Sequence, residues 1–149
     1  MPLPFVVFAL GLSLDTTEVR HAVARRGCTQ EDLPAVEIFL SHARWDGSAA
    51  TEPPAPYLRL EVAWGAWSRA GGRPLALIPL RRHAEDSLVV RGAWHVTTTT
   101  PVWLQGTVTL REVSVGHRVV GEYDVREPGG TRRVGRFTAA WVDARGGCG

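Results

Sequence analysis

The feature that most constrains this chain is a sustained alternation of apolar and polar residues, which begins near residue 35 and continues almost to residue 142. Successive side chains of a β-strand point to opposite faces of the sheet, so a half-buried strand alternates in the same way. Residues 57–64 (YLRLEVAW) have one apolar and one charged side: Leu58, Leu60, Val62 and Trp64 against Arg59 and Glu61. The pattern predicts that the apolar side, Trp64 included, lies in the core.

Seven segments carry strand patterns, at residues 35–40, 57–64, 74–80, 87–96, 106–113, 119–126 and 134–142. Glycine and proline, which favour turns, separate several of them. Because no helical pattern intervenes, residues 35–149 are predicted to form an all-β, mainly antiparallel domain of six to eight strands. A sandwich and a small barrel both fit this spacing.

Residues 1–34 are predicted to form a separate N-terminal segment. Its apolar run at residues 3–14 (LPFVVFALGLSL) suits either a signal-peptide core or a first strand. The run is shorter than the roughly 20 residues that a membrane-spanning helix needs, so no transmembrane segment is predicted. Asp15 and Glu18 resemble a capping box and Gly27 can supply a left-handed cap, which predicts a short helix from about residue 16 to residue 26.

Length and charge limit the possible classes of protein. With 149 residues, 44% of them hydrophobic, the chain is expected to fold as one domain with a packed core. The seventeen basic and fifteen acidic residues are interleaved and leave a net charge of only +2. This balance does not favour nucleic acid or an anionic membrane as a partner.

The two cysteines, Cys28 and Cys148, flank the predicted strands. A disulfide between them would tie the ends of the domain together. In the chain-entropy model, closing a loop of about 120 residues contributes on the order of 5 kcal/mol. Such a bond would imply an extracytoplasmic compartment, whereas two unpaired thiols would suit the cytoplasm.

Three strings in the last third of the chain resemble small β domains of secreted and lipoprotein-type bacterial proteins whose function is unassigned. They are residues 106–110 (GTVTL), 120–125 (VGEYDV) and 135–139 (GRFTA), followed by a cysteine near the C-terminus. The resemblance implies an extracytoplasmic location, periplasmic or secreted, and a paired last cysteine.

The sequence shows no catalytic or metal-binding pattern. Its five histidines are scattered, with no pair at the short spacings that zinc sites favour. It contains no glycine-framed serine, no cysteine–histidine signature and no glycine-rich phosphate loop. We therefore predict no catalytic residue, no metal and no cofactor.

Trp103 is the clearest departure from the alternation, because it falls with Gln105 and Thr107 on the polar side of its predicted strand. In the preceding predicted strand, Arg91 and His95 fall on the side opposite the apolar residues. One sheet face is therefore expected to carry Arg91, His95 and Trp103, which can stack on and hydrogen-bond a sugar or a protein side chain. Coverage of both sheet faces would remove this candidate site, as would a position of Trp103 before the strand proper, packed beneath a loop.

These observations favour a non-enzymatic extracytoplasmic domain with a structural or protein-interaction role. A small-ligand or carbohydrate binder, calycin-like or lectin-like, is the alternative, and an enzyme whose site is assembled from distant residues is a minor one. A binder should enclose an apolar cavity of several hundred Å³. An interaction domain should present a flat exposed patch around Trp103.

Overall fold

The computed structural model describes residues 20–79, 89–97 and 100–143. The described residues form nine strands and one helix: β1 (His21–Cys28), β2 (Pro34–Ser41), β3 (Tyr57–Ala63), α1 (Trp64–Ala70), β4 (Leu75–Ala76), β5 (Val90–His95), β6 (Val102–Trp103), β7 (Gln105–Ser114), β8 (Arg118–Arg126) and β9 (Arg132–Trp141). The prediction of a mostly β chain is confirmed. The apolar run at residues 3–14 lies outside the described residues, so its nature stays a prediction.

All nine strands belong to one sheet, in the order β4-β7-β8-β9-β1-β2-β3-β5-β6. Neighbouring strands are antiparallel except β1 and β9, which pair in parallel. The sheet curls into a half-barrel, and the segment after β4 bridges towards its other end. The backbone N–H of Leu77 donates to Gly106 O at 2.8 Å, and that of Ile78 to Val90 O at 2.9 Å. Of the two predicted architectures, the fold is therefore barrel-like.

The core fills the inside of this curl. Side chains from both halves of the sheet form one cluster, among them Val36, Ile38, Leu60, Val108, Val119 and Phe137. Ile38 and Leu60, from neighbouring strands, are both 0% exposed. The alternation therefore identifies the core-facing side of the predicted strands correctly, and side chains occupy the interior.

The helix predicted for residues 16–26 is wrong where the structure describes it, because residues from His21 onward form strand β1. The interpretation of Gly27 as a helix cap is wrong for the same reason. β1 pairs with β2 over eight residues and also with β9, so hydrogen bonds on both edges outweigh a weak helical pattern. The described sheet thus begins at His21, ahead of the predicted domain start at residue 35.

The short helix α1 was not predicted. It begins at Trp64, which the alternation makes the last residue of a strand, and it ends at Gly71 in the left-handed conformation that glycine adopts readily. Ala66 packs into the core, while Trp64 and Trp67 are half-buried against its edge. Trp64 therefore contacts the core from the helix, and not from within the sheet.

Candidate functional site

A row of charged residues crosses four neighbouring strands on the face of the sheet opposite the core. Arg25 of β1 lies directly opposite Glu37 of β2, Glu37 opposite Glu61 of β3, and Glu61 opposite Arg91 of β5. Glu37, Glu61 and Arg91 are 5%, 2% and 0% exposed. We call these four residues, with Arg59 between the two glutamates, the charged row. Burial of so many ionisable groups is unusual in a protein and requires that they pair with one another.

Glu37 is held by two arginines. Its Oε2 accepts a hydrogen bond from Arg25 Nε and its Oε1 another from Arg59 Nη2, each at 2.9 Å. Gly27 lies beside the carboxylate in β1, and a Cβ built there would be only 2.1 Å from Glu37 Cδ. The absence of a side chain at Gly27 thus makes room for this ion pair.

The loop between β2 and β3 covers this end of the charged row. Arg25 Nη1 donates to the backbone oxygens of Gly47 and Ser48, each at 3.1 Å. The ring of Trp45 meets that of Phe39 edge-on, with centroids 4.8 Å apart. The sheet face that carries Glu37 is therefore enclosed, which explains how charges on the outside of a half-barrel come to be buried.

Glu61 has less support than Glu37. Its Oε1 lies 3.0 Å from Arg59 Nη2, the arginine that also binds Glu37. Burial is the main influence on its pKa and raises it, assisted by the negative charge of Glu37 and opposed by the positive charges of Arg59 and Arg91 and by the nearby Gln30. The Glu61 carboxyl group therefore favours its protonated form more than an exposed glutamate does.

Arg91 is neutralised by a residue from outside the sheet. Glu31, in the loop between β1 and β2, accepts a hydrogen bond from Arg91 Nη1 at 2.5 Å through Oε2 and pairs with Nη2 through Oε1. This hydrogen bond with Arg91 is the main reason that the pKa of Glu31 is lowered. The Arg91 side chain is only 1% exposed, whereas that of Glu31 is 32% exposed. A buried cation is thus balanced by a carboxylate that solvent can reach.

Thr29 shapes the loop that carries Glu31. Its hydroxyl accepts hydrogen bonds from the backbone N–H groups of Glu31 at 3.3 Å and Leu33 at 3.2 Å. The backbone N–H of Thr29 donates to Leu33 O at 2.9 Å. These local bonds order the loop independently of Arg91.

At the β5 end of the charged row, the structure encloses a cavity of about 50 Å³. Its walls come from three neighbouring strands and two loops: Gln30, Arg59, Glu61, Arg91, Ala93, His95, Pro101 and Trp103. Several buried polar atoms of these residues have no hydrogen-bond partner within the described part of the chain: Nε of Arg59, Nε and Nη2 of Arg91, Nδ1 of His95 and both carboxyl oxygens of Glu61. We call this space the Arg91 cavity.

One aromatic contact and one hydrogen bond lie next to the cavity. His95 stacks on Tyr57 with ring centroids 4.3 Å apart and planes 8° from parallel. Burial and the nearby Arg59 charge lower the pKa of His95, so the neutral imidazole is favoured. Burial, with the help of Glu52, raises the pKa of Tyr57 to about 12, and the Tyr57 hydroxyl donates to Glu52 Oε2 at 3.2 Å.

The three residues predicted for the candidate site therefore line one cavity, but they do not form the open sheet face expected of them. Arg91 and His95 are buried, and only Trp103 is half-buried at the edge. Trp103 belongs to the two-residue edge strand β6, opposite Ala93, and not to the strand that begins at Gln105. This strand break explains its departure from the alternation.

The sequence pattern does not identify four of the charged residues as site residues: Glu31, Glu37, Arg59 and Glu61. Glu37 offers a detectable signal, because it is the one charged residue in the apolar strand AVEIFL. A charge in the middle of such a strand is expected to be buried with a partner. The pairing of Glu31 with Arg91, 60 residues away in sequence, has no comparable signal.

The structure also bears on the predictions about a metal site, a transmembrane segment and the disulfide. Within the described ranges, no group of three or more His, Cys, Asp or Glu residues is placed to hold a metal ion. The same residues contain no helix of the length and apolar character that crossing a membrane requires. Cys28 ends β1, but Cys148 lies outside the described residues, so their disulfide remains a prediction.

Comparison with known proteins identifies no relative: no family model, no curated protein and no solved structure matches the chain significantly.

Proposed function

We propose that this chain is a non-catalytic protein-interaction domain that binds a partner at the Arg91 cavity and its rim. The observation that carries the proposal is the meeting of Arg91, His95 and Trp103 around one small cavity at the sheet edge. Val96, the residue after His95, is 57% exposed, the highest value among the large hydrophobic residues described. Tryptophan and arginine are the residues most often responsible for binding energy in protein interfaces.

The size of the cavity favours a protein partner over an enclosed small molecule. At about 50 Å³, it is far below the roughly 300–1,000 Å³ typical of sites that enclose a ligand. It has room for one functional group of a larger molecule. The apolar inside of the half-barrel, where a calycin-like protein would hold its ligand, is occupied by core side chains.

The same size argues against catalysis at the Arg91 cavity. A buried carboxyl group of raised pKa beside a histidine is a pattern found in acid–base sites, and Glu61 and His95 resemble it. A substrate, however, needs space next to the reacting groups. The Arg91 cavity does not supply that space.

Selection from a random peptide library displayed on phage tests the proposal. Peptides enriched on the wild type should lose at least about tenfold in affinity for Trp103→Ala, because truncating an interface tryptophan commonly costs 2 kcal/mol or more. Trp67→Ala is the matched control, since Trp67 is also half-buried but lies on α1. The control should bind the same peptides as tightly as the wild type.

The proposal fails if no peptide is enriched, or if the enriched peptides bind Trp103→Ala unchanged. A glycan array covers the carbohydrate alternative. Glycan binding that depends on Trp103, in the absence of enriched peptides, would replace the protein-interaction proposal by a lectin-like one.

We further propose an extracytoplasmic location for the domain. The support is the pair of cysteines at the two ends of the β region and the resemblance to secreted and lipoprotein-type β domains. Compartment-specific labelling of the two thiols in the native host tests it. Rapid alkylation without prior reduction would favour the cytoplasm.

A further inference from the structure

We infer that Arg91, in the wall of the Arg91 cavity, recognises a carboxylate, and that Glu31 occupies the place of this group on the guanidinium until an acidic segment of a partner displaces it. The inference rests on the proposed function and deepens it by naming the chemistry of the bound group. The partner would supply either a C-terminal carboxylate or the side chain of an aspartate or glutamate.

The charges of the site require an anion beside Arg91. Arg25, Arg59 and Arg91 face Glu37 and Glu61, so the charged row alone has one positive charge in excess. Glu31 provides the balancing negative charge. His95 favours its neutral form, and Glu52 at the far side is engaged by the Tyr57 hydroxyl. A buried excess cation is costly, so an anion is needed at this position.

The geometry of the Arg91 guanidinium suits a carboxylate. Glu31 meets both terminal nitrogens of Arg91, the fork-like arrangement in which a guanidinium binds any carboxylate. The two unpartnered guanidinium Nε atoms of Arg59 and Arg91 are further buried hydrogen-bond donors at the cavity. Glu61 also lines the cavity. Its negative charge is already part of this balance, so a partner carboxylate that replaces Glu31 adds no further repulsion.

The position of Glu31 allows it to leave Arg91. Its side chain is 32% exposed and comes from a loop that Thr29 orders by local hydrogen bonds. Release of Glu31 from Arg91 therefore does not require the loop to unfold. A partner carboxylate can replace it without changing the number of charges at the site.

The test is rescue of Glu31→Ala by acetate. Removal of the side chain leaves Arg91 without its anion and lowers the melting temperature (Tm), and acetate that binds in the vacated place restores stability. At an acetate concentration ten times its Kd, the folding equilibrium constant should rise about elevenfold. Acetamide, which has the same shape and no charge, and sodium chloride at equal ionic strength should have little effect.

Glu122→Ala is the matched control. Glu122 is 35% exposed, pairs with Arg111 and Arg136, and lies in β8 away from the cavity. Acetate should not rescue this variant. In Glu31→Ala, the acetate methyl protons should also show nuclear Overhauser effects to the side chain of Arg91, which the Glu31 carboxylate contacts in the wild type.

Equal effects of acetate on the wild type, Glu31→Ala and Glu122→Ala would overturn the inference, as would equal rescue by acetamide. If Glu31→Ala does not fold in dilute buffer, refolding it in acetate, with acetamide and sodium chloride as the same controls, permits the same comparison. Failed rescue together with Trp103-dependent peptides would remove only the carboxylate. Successful rescue without any enriched peptide would leave the anion site and refute the proposed function.

Discussion

The difference between buried and exposed charge can be measured by comparing Glu37→Gln with Glu122→Gln. Each glutamate lies in a strand between two others and contacts one arginine from each neighbour. Glu37 contacts Arg25 and Arg59, and Glu122 contacts Arg111 and Arg136. In both cases one arginine is directly opposite in register: Arg25 opposite Glu37 and Arg136 opposite Glu122. The main difference between the two sites is burial.

The structure sets the expected magnitudes. The Glu37 side chain is 6% exposed and accepts two hydrogen bonds from charged donors, each worth about 1.5–3 kcal/mol. Breaking a buried ion pair costs about 3–5 kcal/mol, and we expect the lower end, about 3 kcal/mol, because solvent still reaches both arginines. The arginines that contact Glu122 are 61% and 90% exposed, so that substitution should cost at most about 1 kcal/mol.

Equilibrium unfolding in urea, followed by tryptophan fluorescence, measures both losses. The free energy of unfolding is extrapolated to water, and an unchanged slope with denaturant indicates that the compactness of the states is the same. Salt gives an independent readout, because screening weakens exposed pairs far more than buried ones. If both variants lose the same free energy, burial does not determine the value of these pairs and the reasoning is refuted.

Three other substitutions or treatments test separate parts of the structure. Gly27→Ala should lower the midpoint of urea unfolding, because its Cβ would displace the Glu37 carboxylate. Gly129→Ala is the control and should change the midpoint little, because a Cβ there meets no atom within 4 Å. Equal effects of the two substitutions would contradict the described packing around Gly27. The raised pKa of Glu61 means that the folded state binds its proton more tightly, so this group stabilises the protein at low pH and the effect is lost as pH rises through the raised pKa. Glu61→Gln should remove this loss of stability with rising pH. The stability of the variant relative to the wild type should therefore increase in thermal unfolding from pH 4 to 8. A difference that does not change with pH would contradict the raised pKa of Glu61. Intact mass should rise by two hydrogen atoms on reduction if Cys28 and Cys148 form a disulfide, and an unchanged mass would exclude the bond.

At the candidate site, the sequence predicts side-chain direction but not burial. Alternation correctly groups Arg91 and His95 on one side of their strand, because side-chain direction has a period of two. It does not predict that this side is buried, since burial depends on the loops that cover it. Trp45 and Gly47 close over the Glu37 end of the charged row, and Glu31 over Arg91.

The sequence by itself determines that most of this chain is β-strand and which side of the predicted strands is apolar, because both follow from the local alternation. Only the tertiary structure decides which strands are neighbours. β1 pairs with β9 in parallel and with β2 in antiparallel, and these pairings make a strand of a segment whose own pattern favours a helix. Strand order also aligns Arg25, Glu37, Glu61 and Arg91 in one row. A charged residue in an alternating strand has the same sequence signature on an open or a covered face, so its partner and its burial follow only from the assembled sheet.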